Sequence, residues 1–257
     1  MSIAWRAYSD HRKTLTGIFA LASAAVIAAN VLANLASFAA GRPVLAVIIL
    51  EQIAPFFAFG VFFSFAMAAS ACALSDRHDS PDIRAALRST RPVTKDLLTA
   101  GLLAGIVMVA AITLLYYLPI LFLPLFFGPP LLVDVIAVDR MPFSPALTRT
   151  RELLSGEKMR ALGVLMPAAL VAGTLMWVAP NTVVGATAPL GTVAQQAAAI
   201  GTRVVIDALA VGFFAAVVYA VFSDVRRRKA APTPPPERAR DELPSRPSPH
   251  SKKKRRR

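Results

Sequence analysis

Long apolar stretches alternate with short polar segments along most of this chain. The stretches lie at about residues 14–38, 53–74, 97–117, 119–138, 161–180 and 203–222. Each approaches the ~20 apolar residues that a helix needs to cross ~30 Å of hydrocarbon. Lipid offers the backbone no hydrogen-bond partner, and continuous apolar runs lack the alternation of barrel strands. The pattern therefore predicts an all-α, polytopic transmembrane helical bundle of about six spans.

The basic residues are distributed unevenly between these stretches. Counted from the N-terminus, the odd-numbered polar segments hold nearly all of them, whereas the even-numbered segments hold Arg42 and, at a span boundary, Arg203. Lys and Arg near span ends resist translocation and so mark the cytoplasmic side. We therefore expect a multi-pass protein of the cell membrane, the inner membrane in bacteria, with both termini cytoplasmic. The first run is too long for the ~7–15-residue core of a signal peptide, which predicts an uncleaved span.

The C-terminal segment carries most of the net charge. Residues 226–257 hold 13 basic and 3 acidic residues, so they contribute +10 of the formal net charge of +13. This Pro-rich segment has little apolar surface to offset the entropy cost of folding. We expect two regions: a transmembrane helical domain over residues 1–228 and a disordered, basic, Pro-rich cytoplasmic tail over 229–257.

The end of the tail is a candidate contact with the lipid bilayer. Six consecutive basic residues can attract anionic lipids of the inner leaflet. They are Lys252, Lys253, Lys254, Arg255, Arg256 and Arg257. A solvated tail that reinforces the orientation is the alternative, and an acidic protein surface or RNA could bind the same charges. Because the basic residues concentrate in one tail, nucleic acid is not the expected partner of the protein as a whole.

Few residues are suited to metal binding or catalysis. Cys72 is the single cysteine, and the three histidines lie in different polar segments. A disulfide within the chain is therefore excluded, and a zinc or haem site built from Cys and His is not expected. No HExxH, GxSxG or Walker pattern occurs. We expect a protein that is not an enzyme and that uses no metal and no cofactor.

Three ionisable residues near the outer ends of predicted spans form the first candidate polar or ion site. They are Glu51, Arg203 and Asp207. Charged side chains in hydrocarbon are costly and often functional. Arg203 and Asp207 are four residues apart, so they can pair on one helix face. We expect the three residues to share an outer-leaflet cluster. The alternative is a structural ion pair with side chains that snorkel to the interface.

Prolines interrupt the fourth apolar run. Each proline removes an amide donor, and transporters use interrupted helices to present backbone groups to a substrate. The candidate broken-helix region comprises Pro124, Gly128, Pro129, Pro130 and Asp134. An ordinary proline kink is the alternative. Asp134 precedes Asp139 by five residues, which favours a position near the cytoplasmic interface.

Two other patterns concern helix packing. Ser23, Asn30, Asn34 and Ser37 form a polar stripe on the first span, which predicts hydrogen bonds between helices or, alternatively, a hydrophilic pathway. Gly101 and Gly105 form a GxxxG pattern, which is typical of closely packed helices.

The two longer cytoplasmic connections resemble each other. The pairs Ser80-Pro81 and Ser144-Pro145 each predict the capped start of a short interfacial amphipathic helix, and Gly156 can end the second helix. In the second helix, Leu147, Thr150 and Leu154 recur at helical spacing and predict its apolar face. At an offset of sixty residues the two connections share four identities. The pairs are Ala86 and Ala146, Leu87 and Leu147, Thr90 and Thr150, and Arg91 and Arg151. This match hints at a parallel internal repeat.

Part of the chain resembles a known membrane family. The run PPLLVDVIAVDRMPFSPALTRTRELLSGEKMRALGVL is similar to a motif in the membrane domain of bacterial glycerophosphoryl diester phosphodiesterase and its stand-alone relatives. The matching positions are Ala146, Leu147, Arg149, Leu153, Gly156 and Arg160, followed in the last span by Tyr219, Asp224 and Arg226. The resemblance implies a stand-alone polytopic membrane protein; most such relatives have no known function.

These observations lead to two functional hypotheses. The first is a non-enzymatic accessory or scaffold protein in envelope or lipid-related processes, with a membrane protein as partner. The second is a small transporter or channel that uses the fourth span and the outer charged cluster. The sequence leaves the substrate, the partner and the oligomeric state open.

Overall fold

The computed structural model is all-helical over the residues it describes. These are 2–39, 49, 53–75, 82–115, 123–187, 189 and 191–230, with the side chains of all but 2, 3, 111–115, 123–127 and 177. The helices are α1 (Ser2–Ala39), α2 (Ala54–Ser75), α3 (Ile83–Ser89), α4 (Thr94–Leu115), α5 (Leu123–Asp139), α6 (Phe143–Leu154), α7 (Lys158–Thr187) and α8 (Thr192–Ala230). A 3₁₀ turn, Arg91–Val93, joins α3 to α4. The helical bundle that the apolar runs predicted is confirmed.

Each predicted span coincides with a helix, but the helices differ in length. By length and composition, five helical stretches of the described chain could cross a membrane: Ala4–Ala39, Ala54–Ser75, Ile83–Ala110, Lys158–Thr187 and Thr192–Ala230. Helix α5, which corresponds to the fourth predicted span, is not among them. At 17 residues and 1.5 Å per residue it extends ~26 Å, somewhat less than the ~30 Å of a hydrocarbon core.

The bundle is organised around α2 and α8. The most extensive contacts join α8 to α7 and to α1, and α2 to α4 and to α1, and α5 packs against α2 and α4. Phe19, Leu97, Ile136, Leu165 and Val218 are among the largest fully buried side chains, and they come from five different helices. One apolar core therefore joins α1 to α8.

Helices α2 and α4 approach each other through glycines, as the GxxxG pattern predicted. A Cβ added to Gly101 would lie 2.7 Å from the Cα of Val61, and one added to Gly60 would lie 2.8 Å from the amide nitrogen of Gly105. Neither backbone could move away without separating the helices. Small residues at these positions let the two backbones touch, which is a common way for apolar helices to gain packing energy in a membrane.

The two connections predicted to be cytoplasmic, residues 82–93 and residues 142–153, have the same structure. At all twelve matched positions the two segments fall in the same class of exposure. Ala86 and Ala146 are both buried, as are Thr90 and Thr150, whose hydroxyls each donate to a backbone carbonyl of the preceding turn at 2.8 Å. We call these segments the first and second connections. Their common structure supports the internal repeat.

The details of the second connection correct two predictions. The N-cap of α6 is Pro142, so Ser144 lies inside the helix and does not cap it. The buried face consists of Ala146, Thr150 and Leu153, because Leu147 is 40% exposed. For the first connection, Ser80 and Pro81 lie outside the described residues. Gly156 follows the end of α6 with a φ of 84°, as its predicted role in ending the helix requires.

The N-terminus of α6 receives its hydrogen-bond acceptor from another helix. Asp96, in the first turn of α4, accepts a hydrogen bond from the backbone amide of Phe143 at 2.7 Å. A side-chain acceptor at this position satisfies an amide that has no partner within its own helix. Asp96 therefore joins the starts of α4 and α6 at one end of the bundle.

Candidate functional site

A half-open cavity of about 770 Å³ lies between the helices of the bundle. Five helices, α2, α4, α5, α7 and α8, form its wall, and most of the side chains on it are apolar. They include Phe59, Phe63, Met67, Val107, Met108, Ala169, Ala172, Met176 and Phe214. Cavities of this size with apolar walls and a few polar groups are typical of small-molecule binding sites.

The helices around the cavity differ in how closely they pack. α5 packs against α2 and α4, but its contacts with α7 are much fewer. Gly173 faces this space, and a Cβ added there would meet nothing within 4 Å. The cavity therefore occupies the region where α5 and α7 do not close on each other.

Prolines on the wall leave backbone oxygens without their usual donors. Pro129, Pro130 and Pro180 all line the cavity. Because proline has no N–H, the carbonyl groups four residues earlier cannot accept the regular helical hydrogen bond. These are the carbonyls of Leu125, Phe126 and Met176.

The fourth span is nevertheless a continuous helix where the structure describes it. α5 runs without interruption through Gly128, Pro129 and Pro130, so the broken helix that the prolines predicted is wrong for residues 123–139. The side chain of Pro124 and residues 119–122 lie outside the described part of the chain. Packing against α2 and α4 supports the helix despite the missing donors.

Asp207 and Arg203 form the predicted pair on α8. The Nε of Arg203 lies 3.8 Å from Oδ2 of Asp207. Ser23 of α1 donates a hydrogen bond to the same oxygen at 2.7 Å. Asp207 is only 2% exposed, and its Oδ1 has no hydrogen-bond partner among the described residues. Asp207 therefore links α8 to α1 through Ser23. Its partner, Arg203, lies on the cavity wall.

The predicted pairing of Arg203 with Asp207 is confirmed, but the cluster of three residues is not tested. Glu51 lies outside the described residues, so its place beside Arg203 and Asp207 stays a prediction. Asp207 does not snorkel, because its carboxylate points to Ser23 in the interior. Arg203 keeps about half of its side chain exposed.

Asp134 is more enclosed than its position in the sequence suggests. The interfacial placement that we expected would leave the carboxylate accessible, yet the residue is 1% exposed and its Oδ2 has no partner among the described residues. Its neighbours in α5, Val133 and Val135, are buried too. The physical reason is that α5 packs against α2, α4, α6 and α8.

The polar stripe on α1 behaves as predicted at one position. Ser23 makes the hydrogen bond to α8, whereas Asn34 donates to the carbonyl of Asn30 in its own helix. Ser37 is buried, and its hydroxyl has no partner within the described part of the chain. One link between helices is therefore confirmed.

A second polar cluster lies at the end of the bundle that holds the two connections. Arg226 pairs with Asp139 at 2.9 Å, and Asp224 pairs with Arg228 at 3.0 Å and Arg160 at 3.7 Å. Lys229 donates to the carbonyl of Ser155 at 2.9 Å, just beyond α6. These contacts attach the end of α8 to α5, α6 and α7.

Sequence reasoning missed the cavity wall because its residues look like ordinary apolar span residues. The signal that could have pointed to it is the adjacent Pro180 and Asn181 in the second half of α7, which line the cavity together with the prolines of α5. The basic residues at the end of the tail lie outside the described residues, so their contact with lipid stays a prediction.

Comparisons with protein-family models, with curated proteins and with solved structures found no match. The resemblance to the phosphodiesterase membrane domain therefore stays a prediction from the sequence.

Proposed function

We propose that this protein is a non-enzymatic accessory protein of lipid-related processes in the bacterial inner membrane, which holds an amphipathic molecule in its cavity. The observation that carries this proposal is the cavity of about 770 Å³ with apolar walls. Of the described residues on its wall, Arg203 alone carries a charge. An apolar space with one cationic side chain suits a molecule with an apolar chain and an anionic head.

The proposed topology adds α5, the fourth span in chain order, to the five long helices as one more crossing, and it places both termini in the cytoplasm. Lys and Arg cluster in the polar segments assigned to that side. The antiparallel packing of α1 and α8 agrees with this topology, since Tyr8 contacts Phe213 while Ser23 contacts Asp207. Tags at the two ends should both be inaccessible from the periplasm. Finding them on opposite faces would overturn the topology.

Binding by the reconstituted full-length protein tests the cavity. The probes are a fluorescent lysophosphatidylglycerol, which is anionic, and the matching lysophosphatidylcholine, which is zwitterionic. Gly173→Trp should weaken binding of both probes about tenfold, because the indole occupies the cavity. Leu170→Trp is the control, since Leu170 is 58% exposed and is not among the cavity residues. Equal binding by all three proteins would contradict the proposal.

Arg203 provides the second part of the test. Arg203→Gln should reduce binding of the anionic probe about tenfold and leave the zwitterionic probe within about twofold, as expected for the loss of one charge-assisted contact. Arg203→Lys should fall between the two. A parallel loss for both probes would show that the arginine acts on folding and not on the head group.

Transport is the second candidate function, and the prolines on the wall favour it. The carbonyls freed by Pro129, Pro130 and Pro180 are the kind of backbone groups that transporters present to substrates. Movement of the fluorescent lysolipid between leaflets of proteoliposomes would support transport. Binding without movement, together with copurification of a membrane-protein partner, would support the accessory role.

A further inference from the structure

The first connection carries a basic surface that the second connection lacks. Arg84, Leu87 and Arg88 lie on one face of α3, because they are spaced three and four residues apart. Arg91 follows in the 3₁₀ turn, seven residues after Arg84. All four side chains are exposed, and Leu87 is 37% exposed. We call these four residues the basic stripe.

The arginines of the basic stripe form no ion pair with any residue that the structure describes. The ion pairs of the bundle use other cations, namely Arg149, Arg160, Arg203, Arg226 and Arg228. Three positive charges are thus concentrated around one exposed leucine, and no described carboxylate forms an ion pair with them. This arrangement is unfavourable by itself, since like charges at this spacing repel.

The second connection shows that the fold does not require these arginines. At the matching positions it has Ser144, Leu147, Thr148 and Arg151. It keeps the same pattern of burial with two fewer positive charges at these four positions. Its additional arginine, Arg149, pairs with Glu152 at 3.2 Å. The charges at positions 84 and 88 therefore have a role other than building the connection.

We propose that the basic stripe binds the head groups of anionic phospholipids at the membrane surface. Guanidinium groups form paired hydrogen bonds with phosphate oxygens, and a leucine between them can enter the acyl region. The negative potential of the cytoplasmic leaflet attracts such a surface. This site is separate from the cavity, so either proposal can fail alone.

Native mass spectrometry of the full-length protein tests the stripe, with phosphatidylglycerol and phosphatidylcholine as the two probes. The double variant Arg84→Gln/Arg88→Gln should weaken binding of phosphatidylglycerol about tenfold and leave phosphatidylcholine within about twofold. The matched control is Arg149→Gln/Arg151→Gln in the second connection. It removes the same total charge from a segment of the same structure, and it should leave both lipids within about twofold.

A gain-of-binding variant makes the test independent of any effect on folding. Ser144→Arg/Thr148→Arg transfers the stripe to the second connection and should add a second bound phosphatidylglycerol. Equal losses in the stripe variant and its control would show that only total charge matters, and would overturn the proposal. So would unchanged phosphatidylglycerol binding by the stripe variant, including the case in which that variant instead loses a copurifying acidic protein.

Discussion

The α2–α4 interface and the space between α5 and α7 are both formed mainly by apolar residues, but they differ in how closely the helices pack. At the first, Gly60, Gly101 and Gly105 bring two backbones into contact. At the second, prolines line a cavity of about 770 Å³. Lipid is as apolar as these side chains, so hydrophobicity does not bring one helix to another within the membrane. Residue size and backbone hydrogen bonding decide where the helices close on each other.

The largest expected effect comes from the same substitution made in both regions. Gly101→Ala places a methyl group against the α2 backbone at 2.7 Å and should destabilise the fold by about 2–3 kcal/mol, as overpacking does. Gly173→Ala meets nothing within 4 Å and should stabilise the helix by up to about 1 kcal/mol. Thermal unfolding of both variants in one detergent measures the difference. Equal stabilities would mean that the two regions do not differ in packing.

A smaller effect tests whether polar contacts hold the helices beside the cavity. Ser23→Ala removes the donor from the buried Asp207 carboxylate and should cost about 1–2 kcal/mol, because the desolvated oxygen loses its hydrogen bond. Ser23→Thr keeps the hydroxyl and serves as the control. If both variants unfold like the original protein, the contact between α1 and α8 depends on packing alone.

The smallest effect concerns the hydrogen bond between Asp96 on α4 and the start of α6. Asp96→Ala removes the acceptor for the Phe143 amide and should lower stability by about 1 kcal/mol, the usual cost of losing a helix cap. Asp96→Asn retains an acceptor oxygen and should lose less. Hydrogen exchange at Phe143 reports the effect locally. Unchanged protection in Asp96→Ala would contradict this role.

Much of the architecture could be predicted from the sequence because it depends on local composition. Six apolar runs predicted six helices, and Gly101 with Gly105 predicted close packing. The four identities at an offset of sixty predicted the likeness of the two connections, which the shared pattern of burial supports. The prediction that Ser144 caps α6 was wrong, because the side-chain acceptor at the start of α6 is Asp96 on α4. A contact across 47 residues leaves no local pattern.

The candidate site was predictable only in part for the same reason. The spacing of Arg203 and Asp207 along one helix identified their pair, but nothing in the spacing connected Asp207 to Ser23, 184 residues away. The continuity of α5 through Pro129 and Pro130 also depends on its neighbours, which support a helix that has lost two amide donors.

By itself, the sequence determined where helices form, because a polypeptide in lipid must satisfy its backbone within each segment. It also determined that Arg203 and Asp207 share a face, since that follows from the pitch of one helix. Only the tertiary structure decided which helices touch, that Asp134 is enclosed, and that a cavity remains between α5 and α7. Those outcomes depend on the shapes of side chains that are far apart in the chain and that meet only after the helices have packed.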